Sequence, residues 1–321
     1  MNQATIRVPA TSANLGPGFD CLGVALDLHN WVTVDRGGTE RPDPMVSEAA
    51  AAYFRHTSSQ AFAFGWSIRG DIPRSRGLGS SVAVRLGVLH GLNEVDGRPL
   101  DAQTLYRLCV DLEGHPDNAA PAAFGGFAAA RPDGTCFHCE IDPALTFVVL
   151  VPDHEINTDS SRGVLPAEIS RADAVRSVAH ASLITAAFAS RDYSLLRGSI
   201  RDWLHEPYRE KTNPHLRPAV EAGVGAGALG GYLSGSGSAA CCLALQDADR
   251  VAADEAAETS LLRQQHMADY VALACCTQAQ TPCCPSYPGL ESVESSFASV
   301  ADHHCHPQQQ QEEQHTHQYS H

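Results

Sequence analysis

The chain is 321 residues long, enough for two domains with sizeable cores. Its formal net charge of -15 argues against a sequence-independent hold on nucleic acid or on an anionic membrane, since both need a basic face. No apolar run approaches the length of a membrane helix, and the start Met1-Asn2-Gln3-Ala4-Thr5 lacks the charged-then-apolar pattern of an export signal, so the cytoplasm is the expected compartment.

Residues 5–8 alternate and predict a strand that ends at Pro9. Ala10-Thr11-Ser12-Ala13-Asn14-Leu15-Gly16-Pro17-Gly18-Phe19-Asp20 then reads as a rigid loop, which either offers Ser, Asn and Asp side chains to a ligand or caps its own turns. Residues 32–34 read as the next strand, 36–44 as a polar turn and 45–54 as an Ala-rich helix. A β-like run at 63–69 is broken by Ile72-Pro73-Arg74-Ser75-Arg76-Gly77-Leu78-Gly79-Ser80-Ser81, and residues 82–93 then carry Val84, Val88, Leu89 and Leu92 at helical spacing. Strand, glycine turn and a helix opening on two serines expose N–H groups at the positive end of a helix dipole. That is an anion seat, most often for phosphate. The two glycines permit positive φ and close approach, and a hydroxyl of Ser80 or Ser81 can coordinate a metal bound to the phosphate. The plainer reading is a strand-to-helix turn with a serine N-cap. A Walker loop needs Lys after its last Gly, and the one Lys in the chain is Lys211; the His-Arg-Asp and Asp-Phe-Gly sets of protein kinases are missing too.

Residues 93–100 form a connection, and 101–112 predict an amphipathic helix through Leu105, Leu108, Val110 and Leu112. The polar run Glu113-Gly114-His115-Pro116-Asp117-Asn118 that follows is unusual for a structural turn, although His115 and Asp117 taken alone also fit a capping pair. Residues 137–141 and 147–151 read as strands. Cys136 and Cys139 have Cys-x-x-Cys spacing, but a strand alternates its side chains and the body has no second pair at zinc spacing, so no metal site is expected there. Arg162 is either a fork for a carboxylate or a surface arginine in a loop. Residues 171–190 and 193–203 read as helices. Gly225-Ala226-Gly227-Ala228-Leu229-Gly230 spells a dinucleotide-binding pattern, yet no strand precedes it and another glycine turn follows, so that reading is set aside. Residues 251–266 have a helical pattern and 270–276 predict the last strand. Cys21, Cys109, Cys136, Cys139, Cys241 and Cys242 are expected as buried thiols, and the other five cysteines lie beyond residue 270. From Gln278 onward the composition changes abruptly, with Cys283-Cys284, His303-His304-Cys305-His306 and a Gln run. This tail is expected to be disordered, with metal scavenging or a translation or assembly artefact as alternatives.

Pro73-x-x-x-Gly77-Leu78-Gly79-Ser80-Ser81 resembles the phosphate loop of the GHMP kinases. Pro9 to Asp20 resembles, almost letter for letter, the opening motif of the homoserine kinases within that group, where mevalonate kinases and galactokinases differ. Glu113 to Asn118 is similar to a segment of many homoserine kinases. Thr158, Arg162, Val164, Leu165 and Pro166 match their Ser-Thr-x-x-Ala-Arg-x-Val-Leu-Pro segment, whereas Asn157, Ser161 and Gly163 depart from it. Asp202, His205 and Arg209 match a further Asp-x-x-His-x-x-x-Arg segment, and Leu233 to Ser238 resembles the third GHMP motif with Ser238 in place of Pro. The resemblance covers about residues 4–278.

It implies an α+β, two-domain GHMP kinase fold. Residues 1–145 would form an ATP-binding domain like ribosomal protein S5 domain 2, residues 146–278 a ferredoxin-like domain, and 279–321 the tail. ATP would lie on Pro73, Arg74, Ser75, Arg76, Gly77, Leu78, Gly79, Ser80 and Ser81, with Mg²⁺ on Ser80 or Ser81 and on Glu113. Asn14, Asp20, His115, Asp117, Arg162, Arg209 and Gly235 would face L-homoserine, Asp20 taking its ammonium and the arginines its carboxylate. Glu113, Asn118 and Thr158 are the expected catalytic residues, with Asn118 orienting the hydroxyl; no general base is named. The turn at Gly235 would offer backbone donors to the transferring group. The implied activity is ATP-dependent phosphorylation of the L-homoserine hydroxyl in threonine biosynthesis, with no nucleic-acid or membrane partner and a homodimer left open. The alternatives are another GHMP kinase with a different small alcohol and a ligand-binding relative that has lost catalysis.

Overall fold

The computed structural model describes residues 2–39, 41–156, 158–245 and 270–276. The predicted helix at 251–266 and the tail at 279–321, with its Cys and His residues, lie outside the described residues.

Strand β1 (Gln3–Ala13) pairs antiparallel with the long β2 (Leu22–Arg36), whose Val24, Leu26, Val32 and Val34 are buried. β1 runs on past Pro9, where the sequence predicts its end. The register shifts between Pro9 and Ala10, and at such a bulge a residue without N–H is tolerated. Thr11, Ser12 and Ala13, expected in a loop, therefore belong to the strand and are buried.

Helix α1 (Pro44–Thr57) starts where Asp43 Oδ1 accepts from Val46 N–H at 3.2 Å, with Pro44 in its first turn. β3 (Phe64–Gly70) pairs with the second half of β2. α2 (Ser80–Val95) is buried almost all round, because α1, β1, β2 and α3 (Ala102–Glu113) all pack on it. Asp101 Oδ1 caps α3 by accepting from Thr104 N–H at 2.7 Å, a contact of a kind that contributes about 1 kcal/mol. A short α4 (Ala119–Phe124) leads to β4 (Phe127–Ala130) and β5 (Cys136–Cys139), and the sheet runs β1-β2-β4-β5 with β3 also on β2. Cys136 and Cys139, three apart on β5, point to opposite faces as expected.

The second sheet contains β6 (Thr146–Pro152), β7 (Gly230–Leu233), β8 (Ala240–Ala244) and β9 (Tyr270–Cys276) in the antiparallel order β7-β8-β6-β9. Its first and third strands lie in the middle, the order of a ferredoxin-like sheet. Between β6 and β7 come α5 (Thr158–Gly163), α6 (Arg171–Ser190), α7 (Glu206–Arg209) and α8 (Leu216–Gly225). The helix predicted over 193–203 is only a 3-10 turn, Tyr193–Leu196, because the chain turns away at Gly198 with φ +79°. Phe127 of β4 stacks on Phe188 of α6 with centroids 4.3 Å apart, and both sheets contribute to one buried core. Burying such a ring fully contributes about 2–3 kcal/mol.

Candidate active site

A cavity of about 940 Å³ is walled by the segment before α2, the end of α3, the loop after β1, and α5 and α7. Gly79 opens α2 as its N-cap at φ +68°, and no side chain caps this end. A Cβ on Gly79 would lie 2.0 Å from Thr11 Oγ1, and one on Gly77, at φ +73°, 2.0 Å from the Ser234 carbonyl oxygen. Two close approaches thus require glycine, and they hold the loop between β1 and the 234–238 turn. The Leu78 carbonyl accepts from Thr11 N–H at 3.2 Å, and Ser234 Oγ donates to the Gly77 carbonyl at 2.7 Å. An uncapped helix start facing a cavity lined by Gly79, Ser80 and Ser81 fits an anion well.

Arg74, Ser75 and Arg76 of the predicted phosphate loop also line the cavity, and two of them are bound to the chain after β6 as well. Arg76 Nε donates to the Pro152 carbonyl at 2.7 Å, its other nitrogens reach the Asp153 and Arg74 carbonyls, and Glu155 lies 3.4 Å away. The Ser75 carbonyl accepts from Ile156 N–H at 3.1 Å. Ser75 and Arg76 therefore tether the loop to the chain after β6. Arg74 is exposed at the rim, and Pro73 precedes the cavity wall without lining it.

Glu113 closes α3 beside the anion seat. Its Oε2 accepts from Ser81 Oγ at 3.0 Å and its Oε1 from Arg85 Nη1 at 2.7 Å. Of the two serines, Ser81 is the one that reaches Glu113. A carboxylate and a hydroxyl are the hard oxygen donors that suit Mg²⁺, so these residues fit that ion. Beyond the loop, Met45, Trp66, Ile68 and Val84 give the cavity an apolar wall.

The opposite end is built from charged side chains. Arg162 on α5 grips Asp20 with both terminal nitrogens, Nη1 to Oδ2 at 2.9 Å and Nη2 to Oδ1 at 2.6 Å. Asn14, only 2% exposed and at φ 75°, donates its Nδ2 to the Gly235 carbonyl at 3.0 Å and accepts from Asp20 N–H at 3.1 Å, so it shapes the loop that aims Asp20. His115 Nδ1 donates to Asp117 Oδ1 at 2.6 Å. Burial acts to lower the His115 pKa, but the hydrogen bond and charge of Asp117 outweigh it and hold the value above the ordinary one. Asn118 accepts from Thr11 Oγ1 at 2.7 Å, which fixes it next to Gly79.

Arg209, 1% exposed, donates Nε to the Ser161 carbonyl and Nη1 to His205 Nδ1 and the Gly235 carbonyl, each at 3.1 Å. Burial, with repulsion from Arg162, lowers its pKa to about 10, which still leaves it charged at neutral pH. His205 Nε2 donates to the Gly16 carbonyl at 3.0 Å, and Asp202 Oδ2 accepts from the His205 and Glu206 N–H groups, both at 2.7 Å. Burial, opposed by Asp202 and helped by Arg209, lowers the His205 pKa and favours its neutral form.

Most of the predicted residues line this one cavity, with Glu113, Asn118, His115, Asp117, Asp20, Arg162, Arg209 and Gly235 all on its wall. Two N–H groups of the Gly235 turn are engaged within the fold: Gly235 N–H binds the Ala13 carbonyl at 3.2 Å and Gly237 N–H the Ser234 carbonyl at 2.9 Å, while Ser236 lines the cavity. The turn is a brace for the phosphate loop. Thr158 opens α5, four residues before Arg162.

Sequence reasoning missed Arg85, Glu48, the apolar wall and Phe19. Phe19 lies 5.5 Å from the Arg162 guanidinium, 5.4 Å from that of Arg209 and stacks on His205. Arg85 carried a signal, as a charge in an apolar helical run four residues after Ser81 and so on the same helix face.

Residues 45–126 match the family described as GHMP kinases N terminal domain, and residues 184–258 match GHMP kinases C terminal. A homoserine kinase of Moorella thermoacetica is 39% identical over 72% of this chain and 84% of its own length. One from Deinococcus radiodurans is 41% identical over 74% of this chain and 83% of its own length. Among solved structures, a homoserine kinase from Cytophaga hutchinsonii superposes with a TM-score of 0.77 at 23% identity, over 86% of this chain and 95% of that one, and so shares the fold. With the two-domain α+β architecture, the glycine-opened helix and these relatives together, the chain belongs to the homoserine kinase family of the GHMP kinases.

Proposed function

We infer that the protein transfers the terminal phosphoryl group of ATP to the hydroxyl of L-homoserine, a step in threonine biosynthesis, and that it works in the cytoplasm. The observation that carries this reading is that Asp20 and Arg162, charges suited to the ammonium and carboxylate of a free amino acid, share a cavity with the uncapped start of α2.

Phosphoryl transfer asks a protein mainly for positioning and charge stabilisation. The first-turn N–H groups of α2 would hold the phosphate oxygens and orient the transferring group. The apolar wall at Met45, Trp66 and Ile68 suits the nucleotide base. Ser81 and Glu113 would hold Mg²⁺, which when bound neutralises charge on the phosphates. At the other end Asp20 takes the ammonium, while Arg162 and Arg209 take the carboxylate. For that, Arg162 must release Asp20, and a substrate bearing both charges supplies each of them with a new partner. Asn118, pinned by Thr11, lies where it can orient the hydroxyl between the two ends. Thr158, the first residue of α5, is kept as a further catalytic residue on the motif resemblance. His115 is oriented by Asp117 and lines the amino-acid end. We place the domain boundary at residues 145/146, between β5 and β6.

A coupled assay of ADP release with L-homoserine, mevalonate and galactose tests the activity. Release with homoserine alone is expected. Transfer to mevalonate or galactose but not homoserine would overturn the substrate, and binding of homoserine and nucleotide without ADP would overturn the catalysis.

A further inference from the structure

Arg85 bridges two carboxylates of unlike exposure. Nη1 donates to Glu113 Oε1 at 2.7 Å and Nη2 to Glu48 Oε2 at 2.9 Å. The Glu113 side chain is 7% exposed and that of Glu48 55%. Arg85 Nε is buried and has no hydrogen-bond partner among the described residues, so this guanidinium is not locked through all its donors. The second oxygen of Glu113 faces Ser81 at 3.0 Å, and Arg85, Ser81 and Glu113 all line the cavity.

A guanidinium keeps its charge at any working pH, and this one already sits on the carboxylate that would hold the metal. A divalent ion arriving there alone meets a like charge at close range. An ion arriving with a polyphosphate at the start of α2 brings a surplus of negative charge that outweighs the guanidinium. Glu48, already in contact, then gives Arg85 an acceptor, so that leaving Glu113 does not strand a half-buried cation.

Resting on the reading of Glu113 as the metal carboxylate, we propose that Arg85 is a resident counter-cation of Glu113 that keeps divalent ions off the nucleotide-free site and passes to Glu48 when metal and nucleotide enter together. Metal and nucleotide binding are thereby coupled.

Mn²⁺ is the probe, with its free concentration read by electron paramagnetic resonance on the full chain, with and without ADP at fixed concentration. Without ADP, Arg85→Gln is expected to bind Mn²⁺ at least about tenfold more tightly than the unaltered protein, and Arg85→Lys, which keeps the charge, is not. No gain in Arg85→Gln overturns the proposal. If Arg85→Gln does not fold, Glu48→Gln decides, since the Glu48 side chain is largely exposed: it should weaken Mn²⁺ binding with ADP present by about threefold or more, and an unchanged affinity overturns the hand-over. Glu113→Gln separates the two levels. Loss of Mn²⁺ binding with ADP is expected, and its retention would undo the metal reading itself and the proposal with it.

Discussion

The two ends of the cavity solve the problem of binding charge in different ways. At the phosphate end the protein presents backbone: the first turn of α2, set by the packing of Gly77 on Ser234 and of Gly79 on Thr11. At the amino-acid end it presents full charges already paired with each other, Asp20 with Arg162 and His115 with Asp117. Backbone dipoles need no counter-charge before a ligand arrives, so the N–H seat itself can stand ready, while the Glu113 carboxylate beside it keeps Arg85 as its partner. Ionised side chains at a partly enclosed site need partners at all times, so that end must exchange them. The first end should therefore fail when its geometry is altered, and the second when its charge or fork is altered.

The sharpest break is at Glu113, which joins the backbone-built end to the chemistry. Glu113→Ala is expected to lower kcat by about 10³-fold at saturating nucleotide and magnesium, and near-normal turnover would remove its metal role. Gly79→Ala comes next. Its Cβ would sit 2.0 Å from Thr11 Oγ1 at a φ of +68°, a conformation that costs a side-chain-bearing residue about 1–3 kcal/mol, so both Tm and nucleotide affinity should drop. At the other end, Arg162→Lys keeps the charge and loses the two-pronged grip. We expect homoserine KM to rise about tenfold with ATP KM little changed. Equal rises in both would erase the distinction between the ends.

The smallest effect is on stability against pH. His115 has a folded pKa above its ordinary 6.5, so its contribution is complete below that value and is lost as pH rises through the folded one. Glu206, whose carboxyl is lifted from 4.5 to about 8 by burial and then by the charge of Asp202, acts in the same direction, since the fold favours its protonated form. Between about pH 6.5 and about pH 8 both groups should therefore lower Tm as pH rises, and Glu206→Gln should flatten the slope.

The same contrast explains what the sequence disclosed. The phosphate end was legible because glycine, proline and serine encode backbone shape locally, within nine residues of chain. The charged end was legible residue by residue through motif resemblance, but not as a pair: Asp20 and Arg162 are 142 residues apart, and only the fold brings them to 2.6 Å. Arg85 drew no notice because its partners stand on α1 and α3. Strands β4, β7 and β8, with sequences Phe-Ala-Ala-Ala, Gly-Gly-Tyr-Leu and Ala-Cys-Cys-Leu-Ala, contain no β-branched residues. Their extended state comes from their neighbours in the sheets, a tertiary effect that local propensity does not carry. The run of β1 beyond Pro9 has the same origin, since pairing with β2 decided it, whereas the break at Gly198 is local, a glycine at φ +79°.

A crystal structure with ADP and L-homoserine bound together tests the central claim most directly. The account predicts phosphate oxygens on the N–H groups of Gly79 to Ser81. It also predicts a parted Asp20–Arg162 pair, with the ammonium on Asp20 and the carboxylate on Arg162. Phosphates lying away from the start of α2, or an amino acid bound with the Asp20–Arg162 pair intact, would contradict it.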